Sequence, residues 1–149
     1  MLLVGAVNPP PVTTAGYCGV YLSQRDDVPS LVRSLQGTPL QVEHNGTACV
    51  GKVLQGWTDP ATKAIWALAE IDVSTASGAF AAAAVERGAF REFSLGYTSK
   101  LCRDDTTGRL EARDKRITEL SIVKTGARPD CRIHAHTNSN TRSCIRKHK

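Results

Sequence analysis

The chain has 149 residues, enough for one domain with a single hydrophobic core. Hydrophobic residues make up 41% and charged residues 22%, as in ordinary globular proteins, whereas aromatic residues reach only 5%, which predicts an aliphatic core. No run approaches the roughly 20 apolar residues that cross a bilayer, and the opening MLLVGAV lacks the basic segment of a secretion signal. We therefore expect a soluble protein that is not secreted and has no membrane partner.

The net charge of +5 is concentrated near the C-terminus. Residues 124–149 contain seven Lys or Arg against one Asp, a net charge of +6, while the rest of the chain carries −1. A basic segment of this kind can bind nucleic acid or an acidic partner. A run this short more often forms a solvated terminus. We therefore predict a basic, disordered tail over 134–149, with nucleic-acid binding as the alternative.

The five cysteines form no CxxC pair, and their odd number favours reduced thiols in an intracellular protein over a disulfide scaffold. The C-terminal region over 131–149 contains four residues of the types that bind zinc, but their spacing fits no common zinc site. We therefore predict neither a metal nor a cofactor. The four residues are Cys131, His134, His136 and Cys144.

The predicted elements are short strands with two small helices. In chain order they are an extended lead-in over 1–15, a strand over 16–23, a helix over 28–37, strands over 39–44, 48–57 and 64–72, an alanine-rich helix over about 77–87, and strands over 91–100, 110–115 and 116–125. This pattern predicts a mainly β fold with small helices (α+β), a small closed antiparallel β-barrel of about six or seven strands over 16–133. P-loop, GxGxxG, HExxH, EF-hand and GxSxG patterns are all absent from the sequence.

One histidine stands apart from the others. His44 ends a predicted strand, whereas the other three histidines lie in the tail. A serine–histidine enzyme built on this chain would therefore use His44 as its general base. Its nucleophile would be Ser94, which lies between apolar neighbours in FREFSLGYTSK. Such a base also needs an acceptor for its second ring nitrogen.

Several carboxylates on predicted strands could supply that acceptor: Glu43, Glu70, Asp72, Glu92 and Glu119. Glu43 adjoins His44 on an extended segment, so we expect it to point to the opposite face. Glu92 precedes Ser94 by two residues and could share its face. Glu119 interrupts an apolar run, where an inward carboxylate is costly without a partner. The residues alone leave open a strand serine, a turn histidine and an edge glutamate without catalytic roles.

Three motifs resemble those of a viral protease superfamily. PLQVEHNGTACVGKVLQGW resembles the segment of herpesvirus capsid-maturation proteases (assemblins) that carries their first catalytic histidine. FREFSLGYTSK is similar to their nucleophile strand, and closer still to the Ser-hydrophobic-Gly-Tyr element of tailed-phage prohead proteases. ITELSIVKTGARPDCRI resembles the third motif of both groups, and its ELSIV matches the glutamate-containing run of the phage enzymes. The motifs follow the family order, with His44, Ser94 and Glu119 spaced 50 and 25 residues apart.

The resemblance implies a role for each matched residue. Ser94 would be the nucleophile of a serine endopeptidase, His44 its base, and Glu119 would orient His44. The backbone N–H of Ala127 and the side chain of Arg128, acting through a water, would form the oxyanion hole. Ala127 stands where the herpesvirus enzymes have an arginine, a change that a backbone donor survives.

The resemblance also implies a setting. The substrates would be scaffold and capsid precursor proteins inside assembling capsids of a virus-infected cell, in the nucleus if the virus is herpesvirus-like and in the cytoplasm if it is phage-like. The herpesvirus enzymes are active as homodimers formed through C-terminal helices, for which this chain has no obvious material, so a different dimer or a longer precursor stays open. The alternative function is a non-catalytic barrel, either a capsid-assembly factor or a nucleic-acid-binding module that uses the tail.

Overall fold

The computed structural model describes residues 1–8, 21–22, 28–126 and 131–137. The strands are β1 (Leu2–Asn8), β2 (Tyr21–Leu22), β3 (Pro39–Val42), β4 (Asn45–Thr58), β5 (Ile65–Ile71), β6 (Glu92–Arg103), β7 (Leu110–Val123) and β8 (Ile133–His136). The helices are α1 (Val28–Leu35) and α2 (Ala76–Glu86). The prediction of a mainly β fold with small helices is therefore confirmed, and α2 matches the predicted alanine-rich helix.

The strands form one mixed sheet that curls into a half-barrel. Its order is β2-β7-β3-β4-β5-β1-β8, and β6 pairs with the other edge of β7. The predicted closed antiparallel barrel is wrong in two respects. Both β2 and β3 run parallel to β7, and an isolated bridge between Glu92 and Arg132, rather than a continuous ladder, joins the β8 end of the sheet to β6.

The interior of the curl is aliphatic, as the composition predicts. Leu3, Leu40 and Leu120 are completely buried there, and Phe93 is the largest fully buried side chain among the described residues. Thr75 caps the N-terminus of helix α2, where its hydroxyl accepts a hydrogen bond from the backbone N–H of Gly78. In the described part of the chain, neither helix is long and apolar enough to cross a membrane.

Strand β7 differs from the sequence expectation of two strands over 110–115 and 116–125. It is one strand of 14 residues, paired antiparallel with β6 along its length. Asp114 has a positive φ of 53°, and the register shifts nearby between Thr98 and Lys100 of the partner strand. This irregularity lies next to the boundary between the two predicted strands, and it interrupts the ladder without ending the strand.

The two ends of the chain also differ from expectation. The lead-in expected over 1–15 contains β1, which lies between β5 and β8 in the sheet. Leu3, Ala6 and Val7 of this strand are buried, and both of its edges are paired. Residues 134–136, which we expected in a disordered tail, belong to β8 and pair with β1. Residues 16–20 of the predicted first strand and residues 138–149 lie outside the described ranges.

Close packing of β1 against the segment before β8 leads to a stability prediction. A Cβ atom at Gly5 would overlap the backbone carbonyl oxygen of Arg132 and lie 3.0 Å from the Phe93 ring. We expect Gly5→Ala to lower the free energy of unfolding by about 1–3 kcal/mol, because the two backbones must separate. Denaturant unfolding measures the change. Gly46→Ala is the control, since a Cβ there meets no atom within 4 Å. Equal stabilities of the two variants would contradict the close approach.

Candidate active site

The ladder between β6 and β7 brings two polar pairs onto one face of the sheet. Ser94 lies opposite Ser121, and Gly96 lies opposite Glu119. Because strand side chains alternate, positions two apart share a face, so the hydroxyl groups and the carboxylate project to the same side. Ser94 is 7% exposed, Glu119 9% and Ser121 0%. Glu119, which interrupts the apolar run in the sequence, therefore lies among polar partners and not in the aliphatic core.

His44 occupies a tight turn rather than the end of a strand. Strand β3 ends at Val42, which pairs with Asn45, so Glu43 and His44 form a two-residue hairpin turn. Their φ angles are +50° and +58°. Hairpin turns of two residues with positive φ match the twist of the flanking strands. The turn directs His44 toward the face that carries Ser94 and Glu119.

Three hydrogen bonds attach this turn to the end of β7. The backbone N–H of Glu43 donates to the carbonyl of Ile122 at 3.0 Å, and that of His44 donates to the Ser121 hydroxyl at 3.0 Å. In return, the Glu43 carboxylate accepts the backbone N–H of Lys124 at 2.8 Å. Glu43 therefore does not lie on the extended segment that the sequence predicted, and it lines the same cleft as His44. Its carboxylate anchors the base-bearing turn to Lys124, the residue that follows β7.

The three residues predicted for catalysis lie in direct contact. The Nε2 atom of His44 is 2.9 Å from the Ser94 hydroxyl oxygen, and its Nδ1 atom is 2.5 Å from Oε1 of Glu119. A carboxylate beside Nδ1 favours the tautomer with a proton on that nitrogen. Nε2 is then free to accept the serine proton, so the arrangement can activate Ser94 as a nucleophile.

A glycine makes room for the carboxylate. A Cβ atom at Gly96 would overlap Oε1 of Glu119 and lie 2.6 Å from its Cδ and 2.9 Å from its Cγ. The glutamate side chain therefore crosses directly over the Gly96 backbone on its way to His44. This contact gives a physical reason for the glycine two residues after Ser94 in FREFSLGYTSK.

The site opens into a cleft of about 670 Å³. This volume lies within the roughly 300–1,000 Å³ range of ligand-binding clefts. Its polar part includes His44 and Ser94, and its apolar wall includes Leu95, Tyr97 and Leu101. Leu101 is 61% exposed, so the apolar wall reaches open solvent. The candidate nucleophile is accordingly accessible from a partly apolar groove along β6.

The other candidate carboxylates have different partners. Glu92 accepts the backbone N–H of Gly126 at 2.5 Å, so it holds the segment after β7. Asp72 accepts hydrogen bonds from the backbone and hydroxyl of Ser74 before α2. Glu70 is exposed on β5. Of the five candidate carboxylates, Glu119 is the one whose side chain binds the His44 ring.

Some sequence predictions fall outside the described ranges. Ala127 and Arg128, the predicted oxyanion donors, lie there, as does Cys144 of the zinc alternative. His134 packs on Trp66 with ring centroids 4.7 Å apart. Within residues 1–8, 21–22, 28–126 and 131–137, no cluster of three or more His, Cys, Asp or Glu could hold a metal ion.

Two residues of the site were assigned no role from sequence. Ser121 and Gly96 are recognisable only when β6 and β7 are placed in register, because each acts across the strand pair. The ELSIV run contains a weak signal, since Glu119 and Ser121 share one face of a strand.

No protein-family model matches the chain, and no curated protein matches it. The family resemblance drawn from the three motifs therefore stays a prediction. The contacts among His44, Ser94 and Glu119 stand as geometry, whatever the family.

The tight contact at Gly96 can be tested by spectroscopy. We expect Gly96→Ala to move the Glu119 carboxylate away from Nδ1 of His44, because the new methyl group would occupy its place. Protons in short, charge-assisted hydrogen bonds resonate far downfield in proton NMR spectra. The His44 signal, assigned by its loss in His44→Gln, should shift or vanish in Gly96→Ala and persist in Gly46→Ala. An unchanged signal in Gly96→Ala would show that the carboxylate lies elsewhere.

Proposed function

We propose that this protein is a serine endopeptidase in which Ser94 is the nucleophile and His44 the general base. The observation that carries the proposal is a pair of hydrogen-bond contacts to the two nitrogens of the His44 ring. Nε2 lies 2.9 Å from Oγ of Ser94, and Nδ1 lies 2.5 Å from Oε1 of Glu119. Nucleophile, base and orienting acceptor in this order form the constellation that activates a serine hydroxyl.

The proposed reaction follows from this geometry. The Ser94 oxygen attacks the peptide carbonyl carbon while Nε2 of His44 takes the hydroxyl proton. The same proton then passes to the leaving amine as the C–N bond breaks, which leaves an acyl-enzyme. Water, deprotonated by His44, releases the acid and restores the serine. Throughout, Glu119 holds the ring in orientation and stabilises the imidazolium that forms in each half-reaction.

Negative charge on the tetrahedral intermediate requires preorganised donors. In the proposal these are the backbone N–H of Ala127 and the side chain of Arg128. Two hydrogen bonds made by residues that shortly precede Ala127 in the sequence support this assignment. Glu43 binds the backbone N–H of Lys124, and Glu92 binds that of Gly126, so the segment leading to the donors is anchored beside the cleft.

We further propose that the enzyme matures viral capsids, with an assemblin-like or prohead-protease-like fold and scaffold and capsid precursor proteins as substrates. The order and spacing of the three motifs support this assignment. A cleft open along β6 also suits a polypeptide substrate better than an enclosed cavity would. The proposed place of action is the interior of an assembling capsid, where a homodimer could form.

Labelling with a fluorophosphonate probe tests the nucleophile. We expect the wild-type protein to be labelled and Ser94→Ala not to be, because the probe forms a bond with an activated serine oxygen. His44→Ala should slow labelling more than Glu119→Gln, since in a well-studied serine protease loss of the base lowers kcat by about 10⁶-fold and loss of the orienting carboxylate by about 10⁴-fold.

A second serine supplies the matched control for labelling. Ser74 lies in the turn before α2, where its hydroxyl donates to Asp72 at 2.6 Å. We expect Ser74→Ala to be labelled at the wild-type rate. Labelling that persists in Ser94→Ala would contradict the assignment of the nucleophile.

Processing of a co-expressed scaffold protein separates the proposed protease from a non-catalytic assembly factor. The test requires co-expression of the chain with candidate scaffold and capsid precursor proteins. We expect scaffold cleavage with the wild type and with Ser74→Ala, and none with Ser94→Ala, because only the last lacks the nucleophile. Capsid assembly supported equally by all three proteins without cleavage would favour the assembly factor.

A further inference from the structure

Ser121 makes two hydrogen bonds that join the parts of the candidate site. Its hydroxyl donates to Oε2 of Glu119 at 2.6 Å and accepts the backbone N–H of His44 at 3.0 Å. A serine hydroxyl has one proton to donate, and here that proton is directed to the carboxylate. The residue is completely buried, so water does not replace either bond.

We propose that Ser121 is a positioning residue of the serine endopeptidase, fixing both the base-bearing turn and the orienting carboxylate relative to Ser94. This inference rests on the proposed function. One hydroxyl group ties the backbone of His44 to the same carboxylate that binds the His44 ring. The ring and its acceptor are thus held to a common point on β7.

The carboxylate geometry supports this role. Ser121 occupies Oε2 of Glu119 and leaves Oε1 for Nδ1 of His44, so the two oxygens have separate partners. Because residue 96 is a glycine, it has no side chain that would push the carboxylate aside. Rotation of the carboxylate would break both hydrogen bonds together, and the Ser121 bond therefore opposes that rotation.

The histidine geometry supports it as well. The side chain of His44 is 45% exposed, so core packing does not immobilise the ring. Its backbone has a positive φ, a conformation that costs about 1–2 kcal/mol for a residue other than glycine. The hydrogen bond from His44 N–H to Ser121 stabilises that conformation, and with it the direction in which the ring leaves the turn.

A buried hydroxyl elsewhere in the chain provides the comparison. Thr38 is 7% exposed and donates to the carbonyl of Ser34 at 3.0 Å, outside the cleft. Thr38→Ala also removes a buried hydrogen bond, so it controls for a general loss of stability. Ser121→Cys retains a side chain of similar shape with a weaker donor.

The first measurement is the rate of fluorophosphonate labelling as a function of probe concentration. We expect Ser121→Ala to lower the maximal rate roughly 10- to 100-fold, because a hydrogen bond to a charged group contributes at this level. The half-saturating concentration should change little, since Ser121 is not among the cleft residues. Ser121→Cys should recover part of the rate, and Thr38→Ala should match the wild type. A wild-type rate in Ser121→Ala would overturn the inference.

The second measurement does not depend on enzyme activity. The downfield proton signal of the His44–Glu119 hydrogen bond should shift or exchange faster in Ser121→Ala and stay unchanged in Thr38→Ala. If wild-type protein is not labelled at all, the proposed function fails, yet this signal still tests positioning. If Ser121→Ala does not fold, Ser121→Cys decides: a wild-type signal in it overturns the inference, and an altered signal supports it.

Discussion

The register of β6 against β7 is the constraint on which the candidate site depends. It sets Ser94 opposite Ser121 and Gly96 opposite Glu119. The Ser94 hydroxyl and the Glu119 carboxylate therefore lie on the same face of the sheet, and Gly96 leaves room for the carboxylate. A slip by one residue would turn each of these side chains to the other face of its strand. The ladder extends along both strands, from Glu92 to Arg103 and from Leu110 to Val123, and this length opposes such a slip.

Within that register, the requirements of a nearly buried carboxylate determine its neighbours. Glu119 needs hydrogen-bond partners for both oxygens, because removing an unpaired charge from water is costly. His44 and Ser121 supply them, and Gly96 leaves the space through which the carboxylate reaches the histidine ring. The same contacts that offset the burial of the charge therefore also orient the ring.

The sequence predicted the residues of scarce chemical type better than the arrangement around them. His44 and Glu119 became candidates because one histidine stood outside the predicted tail and one glutamate interrupted an apolar run. The motif resemblance then selected them together with Ser94. The parallel pairing of β3 with β7 joins segments about 80 residues apart, as between Leu40 and Leu120, and no local pattern encodes it. The partners of Ser121 likewise depend on pairing between distant strands, so its local sequence could not reveal them.

The hairpin turn that carries His44 does not form at the residue pair that the local sequence most favours for a turn. Asn45 and Gly46 follow it, a pair that commonly forms two-residue hairpin turns, yet the tight turn uses Glu43 and His44 with positive φ. Asn45 instead accepts the backbone N–H of Thr47 at the start of β4. Glycine at position 43 would relieve backbone strain but remove the carboxylate that binds Lys124, and glycine at 44 would remove the ring that contacts Ser94. The strain is therefore retained because the two side chains that cause it are the ones that anchor the turn and reach the serine.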